Sequence, residues 1–121
     1  MYLFLSGAEM QPERVRAAWP EARFVARGRL QPHPVAGVVP PAGAQYETWG
    51  IVLESPDAAT PGETRGALTD DEREFTVVAP PPDDGDAAAV LAAARYWELP
   101  PPYVRRLARA ANAPVEDYFY G

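Results

Sequence analysis

Glu47-Thr48-Trp49-Gly50-Ile51-Val52-Leu53-Glu54 carries a near-continuous apolar run between two acids. A strand with one wet face alternates polar and apolar residues, whereas a run without alternation is buried on both faces. This stretch therefore predicts an interior strand, with Trp49 in the core. Upstream, Tyr2 to Leu5 is a second short apolar run that stops at Ser6-Gly7, the pattern of a buried strand ended by a turn. Ala22 to Leu30 suits a third strand, with apolar Phe24 and Val25, polar Arg23, Arg27 and Arg29, and a bulge expected at Gly28.

The segments between and beyond these strands carry turn and helix signals. Met10 to Ala18 reads as a helix, with Pro12 in its first turn, Glu13 favourable to the dipole, and Val15, Ala18 and Trp19 on one face. Pro32, Pro34, Pro40 and Pro41 leave Val35 to Val39 as a short strand at most. Glu63 to Leu68 and Arg73 to Ala79 read as a hairpin around the acidic tip Thr69-Asp70-Asp71-Glu72. Ala87 to Trp97 is an Ala-rich helix capped by Asp84 or Asp86, and Pro100 to Pro102 is expected to end it. Tyr103 to Ala111 forms a last helix, with Leu107 on its apolar side and Asn112 as C-cap. The order is β-α-β-β-β-hairpin-α-α, neither alternating nor segregated. That predicts one α+β domain over residues 1–121, built on a small mixed β-barrel or strongly curved sheet with flanking helices.

Composition narrows the chemistry. The chain has 121 residues, 11 basic and 17 acidic, for a net charge of −6, a poor basis for gripping a phosphate backbone, so no nucleic-acid partner is expected. It contains no Cys, which excludes thiolate nucleophiles, disulfides and cysteine-ligated metals. It also contains no Lys, which excludes Schiff-base chemistry and a P-loop lysine. His33 is the one histidine, so a multi-histidine metal site within the chain is excluded too. Ser6 and Ser55 are the only serines, and neither sits in a G-x-S-x-G elbow. Carboxylates, Tyr, Arg and backbone amides are left to do any catalysis, and the acidic tip Asp70 to Glu72 reads as a turn and not a metal site. No apolar run is long enough to span a membrane, and the opening Met1 to Met10 lacks a basic leader. The expected compartment is the cytoplasm. Absent Lys beside abundant Ala, Arg and Pro has the look of a GC-rich bacterial genome.

Several segments follow one another in a telling order, with no internal repeat. Leu5-Ser6-Gly7-Ala8-Glu9-Met10 is followed by Pro12-Glu13-Arg14, then by Trp19-Pro20-Glu21-Ala22-Arg23-Phe24 running to Arg29-Leu30. Trp49-Gly50-Ile51-Val52, the Thr69-Asp70-Asp71 turn and Glu98-Leu99-Pro100-Pro101-Pro102-Tyr103 complete the series. In this order the chain resembles the gamma-glutamylcyclotransferase family. Its members open with a strand and a Y-G-S-N-[LM] loop, continue through a W-G-V-[LV] strand and a hairpin, and close with a G-L-P-x-x-Y segment leading into a helix. The opening "G-A" loop also resembles the accessory C-terminal domain of allophanate hydrolases.

The family resemblance implies an intramolecular acyl transfer without a cofactor. The substrate's α-amine attacks its own γ-glutamyl carbonyl, and 5-oxoproline and a free amine leave. A carboxylate would move the proton, loop amides would hold the oxyanion, and substrate folding would supply about 7–11 kcal/mol of the barrier reduction. Carried onto this sequence, the resemblance implies that Leu5, Ser6, Gly7, Ala8, Glu9 and Met10 bind substrate, with Tyr103 at the pocket's border. The family's L-D-x-x-E-G segment is absent or heavily shortened here, which leaves Glu63 in the catalytic role and Glu54 second in order. Glu9 stands where the family has a neutral Asn.

Each of these residues has a plainer reading. Gly7 suits an ordinary positive-φ turn, Glu63 a solvated loop, and Glu9 the first turn of a helix. Tyr103 suits packing, Arg27 and Arg29 a solvated face or a carboxylate clamp, and His33 an exposed loop. The alternative to an enzyme is a catalytically silent domain of the same fold that binds a small molecule or supports an amidase partner. A homodimer is also compatible, since the tail aromatics Tyr118, Phe119 and Tyr120 suit either the protein's own core or a second subunit. The reading that includes catalysis requires a carboxylate within about 4 Å of the pocket floor beside Gly7.

Overall fold

The computed structural model describes residues 1–31, 47–56, 60–83 and 85–112. Five strands form one closed barrel in the order β1-β3-β2-β4-β5: β1 (Tyr2–Leu5), β2 (Arg23–Leu30), β3 (Trp49–Glu54), β4 (Glu63–Thr69) and β5 (Glu74–Ala79). Three helices flank it: α1 (Pro12–Ala18), α2 (Ala87–Tyr96) and α3 (Pro101–Ala110). Neighbouring strands pair antiparallel except β1 and β5, which close the barrel in parallel at Leu3 and Val78. Closure removes the free edges that a curved open sheet would leave.

β3 pairs along its two edges with β1 and β2, and its two faces are buried by two separate clusters. Val52 joins Phe4, Ala67 and Val77 in an inner cluster drawn from β1, β3, β4 and β5. Ile51, Leu53 and Trp49 point the other way and join Leu3, Leu5, Met10, Leu99 and Tyr103 under the helices. Alternation along a strand thus serves two cores rather than one core and solvent. Each fully buried Leu or Ile contributes about 1.5–3 kcal/mol of transfer free energy.

Several local details differ from the sequence expectations. The bulge in β2 lies between Phe24 and Ala26, not at Gly28. Gly28 pairs regularly with Gly50 and Thr69, and a Cβ there would meet the Leu68 carbonyl at 3.1 Å. Its glycine serves close strand approach. The first helix is divided, with a short 3₁₀ turn at Ala8–Met10 before α1. Pro100 to Pro102 do not end α2, which stops at Tyr96. Glu98 takes φ 56 there, and the Leu99 N–H reaches back to the Ala94 carbonyl at 3.0 Å. Pro101 and Pro102 instead open α3, where a missing N–H costs nothing. Asp86 caps α2 by accepting from the Ala89 N–H at 3.1 Å. The expected strand at Val35 to Val39, the cap at Asp84, His33 and the tail aromatics lie outside the described residues. No described helix is long and apolar enough to cross a membrane.

Candidate functional site

The candidate site is built at the C-terminal end of β1. Gly7 adopts φ 64 and ψ −151, a region essentially reserved for glycine. This conformation turns the chain sharply into the 3₁₀ turn, whose Ala8 and Met10 are buried beneath it. After β5, the chain continues alongside β1, and Gly7 pairs in parallel with Asp83. The Ala8 N–H donates to the Asp83 carbonyl at 2.7 Å. That amide, one of those expected to cradle an oxygen, is engaged inside the protein.

An ionic clamp fixes the same junction. Arg14, on α1, donates to Glu9 Oε1 and to Asp83 Oδ2, both at 3.1 Å. Asp83 Oδ1 accepts from the Gly85 N–H at 3.2 Å. The Gly85 amide, and then the Arg14 guanidinium, hold the Asp83 carboxyl below its ordinary value. Its stabilising contribution is complete above about pH 3.9, the ordinary aspartate value, and is lost as pH falls through the lower folded value. In an NMR titration, Asp83 is expected to protonate below the ordinary range. Arg14→Gln should raise its midpoint but leave it depressed, because the Gly85 amide remains. A midpoint untouched by Arg14→Gln would show that the guanidinium does not hold this carboxylate.

Beside Gly7 opens a cavity of about 230 Å³. Ser6, Gly7 and Tyr103, chosen from distant parts of the sequence, all line it. Arg106 also lines it, with its guanidinium carbon 4.6 Å from the Tyr103 ring centroid. The remaining wall is mostly apolar, from Pro82 and from α2 and α3, with Thr48 completing it. A larger groove of about 710 Å³ adjoins it, and Ser6, Thr48 and Pro82 border both spaces.

The three candidate carboxylates are dispersed. Glu63 lines the larger groove with Ser6, not the cavity with Gly7. Its side chain is 61% exposed and lies 3.7 Å from Arg65 Nε. Glu9 is paired with Arg14, as described. Glu54 pairs with Arg23 at the opposite end of the barrel, where β3 meets Tyr2. Among the substrate-binding candidates, Leu5 is buried in the outer core with Met10, and both support the turn from below. Arg27 and Arg29, weighed as carboxylate clamps, have partners within the protein. Arg27 donates to the Trp97 carbonyl at 2.6 Å, and Arg29 lies 2.9 Å from Glu47.

Arg106, Thr48, Pro82 and the Arg14 clamp were not singled out from the sequence. Arg106 did carry a signal, since it lies one helical turn after Tyr103 and therefore on the same face.

No protein-family model matches the chain, and no curated protein matches it by sequence. Solved structures similar in shape include two that span nearly the whole chain. One is a gamma-glutamyl cyclotransferase, with a TM-score of 0.67, 16% identity, and coverage of 99% of this chain and 91% of that one. The other is an uncharacterized protein from Homo sapiens, with a TM-score of 0.62, 18% identity, and coverage of 99% and 90%. Agreement over nearly the whole of both chains, with a closed five-stranded mixed barrel and flanking helices, gives this protein the gamma-glutamyl cyclotransferase fold.

Proposed function

We propose that this protein binds a small γ-glutamyl-type ligand in the cavity beside Gly7. One observation carries the reading: Ser6, Gly7 and Tyr103, picked out by the family motif order, converge on a single cavity in a fold shared with a gamma-glutamyl cyclotransferase. The hydroxyls of Ser6 and Thr48 suit an α-ammonium group, and Arg106 supplies positive charge.

Acyl transfer is the second reading: no described carboxylate lines the cavity beside Gly7, but Ser6 borders both that cavity and the groove that holds Glu63. In that reaction the ligand's α-nitrogen bonds to its γ-carbonyl carbon and the amide C–N bond breaks. The proton lost by the attacking nitrogen reaches the departing amine through the Glu63 carboxylate. The products are 5-oxoproline and the free amine, with no oxidant or co-reactant required.

The two readings separate in one experiment. Purified protein is titrated calorimetrically with γ-glutamyl amides, γ-glutamyl dipeptides and glutathione, and each mixture is assayed for 5-oxoproline by mass spectrometry. Binding without product is expected if the domain only binds. Product formation that falls at least a hundredfold in Glu63→Gln, with binding retained, identifies a working general base. Glu9→Gln and Glu54→Gln should leave product formation intact, since Arg14 and Arg23 hold those side chains. Absence of both heat and product across the panel would end the γ-glutamyl reading.

A further inference from the structure

Pro80, Pro81 and Pro82 carry the chain from β5 towards α2 beside β1. This segment runs parallel to β1, and its described pairing is confined to two points, Leu3 with Val78 and Gly7 with Asp83. The gap between those points has a chemical cause, since successive prolines have no N–H to donate. Pro82 ends the run as a wall shared by the cavity and the groove, and Ser6 borders the same two spaces. What holds Pro82 in place is therefore the residue after it. The Asp83 carbonyl accepts from the Ala8 N–H, and its carboxylate accepts from Arg14 and from the Gly85 N–H. Arg14 gives one nitrogen to Asp83 and the other to Glu9, so one guanidinium ties this segment to the 3₁₀ turn after Gly7. Arg14 and Asp83 are both nearly half exposed. An ion pair so exposed is weak and is weakened further by salt. It fastens the segment without locking it, as an element that must open requires.

We propose that Pro80 to Pro82 form a strap over the seam between β1 and β5, and that Arg14 is the positioning residue that keeps the strap shut and the cavity separate from the groove. The inference adds regulation to the site described above, and only its ligand arm rests on the γ-glutamyl reading. With Arg14 engaged, Asp83 fixes Pro82 and the cavity keeps its own wall. With Arg14 released, Asp83 retains the Ala8 and Gly85 amides alone, Pro82 moves away from Ser6, and the two spaces join. Arg14 acts through Asp83 and touches no ligand. Glu9 holds the second nitrogen and so presents the guanidinium to Asp83 in one orientation. A lysine ammonium, a compact point charge, cannot reproduce that two-armed fork.

Amide hydrogen exchange, followed residue by residue by NMR, tests the strap without any ligand. The Ala8 amide should exchange about threefold faster or more in Arg14→Gln and in Asp83→Asn than in wild type. The Val52 and Leu53 amides of β3 should keep their wild-type rates, and Arg14→Lys should fall between wild type and Arg14→Gln. Salt at about 1 M, where the screening length is about 3 Å, should speed the Ala8 amide in wild type and leave Arg14→Gln unmoved. An unchanged Ala8 rate in both charge-removing variants would overturn the strap. So would faster exchange throughout β3, because Arg14 would then serve only global stability. The ligand arm follows dissociation of γ-glutamyl-n-butylamide by stopped flow, which should be at least threefold faster from Arg14→Gln than from wild type. An unchanged dissociation rate beside a faster Ala8 amide would overturn the separation of the two spaces and leave the γ-glutamyl reading intact. If the probe does not bind wild type, that reading falls, and the exchange rates alone decide the strap.

Discussion

Gly50→Ala is expected to cost more than about 3 kcal/mol, beyond the usual range for overpacking. A Cβ at this position would lie 2.0 Å from the Leu5 carbonyl oxygen, 3.0 Å from its carbon and 2.9 Å from the Phe4 ring tip. The first two atoms belong to the backbone of β1, and no rotamer change can move them. Relief would require β1 to separate from β3, breaking the register that pairs Phe4 with Val52 and Leu5 with Ile51. That register aligns both cores, so the loss would spread. Native domains are stable by only about 5–15 kcal/mol, and each kcal/mol lowers the melting temperature by several degrees in a domain of this size. Thermal melting by circular dichroism should therefore show a drop of 15 °C or more, or a protein that does not fold. Gly28→Ala provides the contrast: its Cβ would meet the Leu68 carbonyl at 3.1 Å, a contact a small shift can relieve. A Gly50→Ala melt within a few degrees of wild type would mean that β1 does not run this close to β3.

Gly50 also shows where sequence reading reaches its limit. The apolar stretch 49–53 announces burial on both faces because both sides of β3 meet hydrocarbon. It does not announce which strands supply that hydrocarbon. Barrel closure depends on parallel pairing of Leu3 with Val78, residues far apart in sequence and free of any local turn signal. Gly28 was misread for a related reason: glycine in a strand serves either a bulge or a close approach, and the neighbouring strand decides between them. The helix entry at Pro101 was hidden because proline both stops one helix and starts another. At the site, local chemistry was legible. The Gly7 turn demands a glycine and the Tyr103 segment follows the family order, and both residues line the same cavity. Glu63 was chosen by its place in the sequence, and the structure gives it to the adjoining groove. Arg106 reads from sequence as an ordinary helical arginine. It becomes a cavity wall through the packing of α3 and through the Tyr103 ring beneath it.

Tyr103→Ala is expected to remove about 3–5 kcal/mol, the cost of deleting a buried aromatic ring. The ring is 4% exposed and belongs to the outer core with Leu5, Met10, Trp49 and Leu99. The same ring lies 4.6 Å from the Arg106 guanidinium carbon, so its loss both hollows the core and removes that contact from the cavity wall. Tyr103→Phe separates these roles from the hydroxyl. It retains the ring, its packing and its π-face, and should stay within about 1.5 kcal/mol of wild type, the scale of one hydrogen bond. Its affinity for γ-glutamyl-n-butylamide should fall much less than that of Tyr103→Ala measured at a temperature where the latter is still folded. Urea denaturation gives the stability of each variant, and calorimetry gives its binding. If Tyr103→Ala unfolds at the wild-type urea midpoint, the ring is not part of the core, and Arg106 loses the surface on which its orientation depends. If stability falls while affinity holds, Tyr103 supports the core and takes no part in holding the ligand.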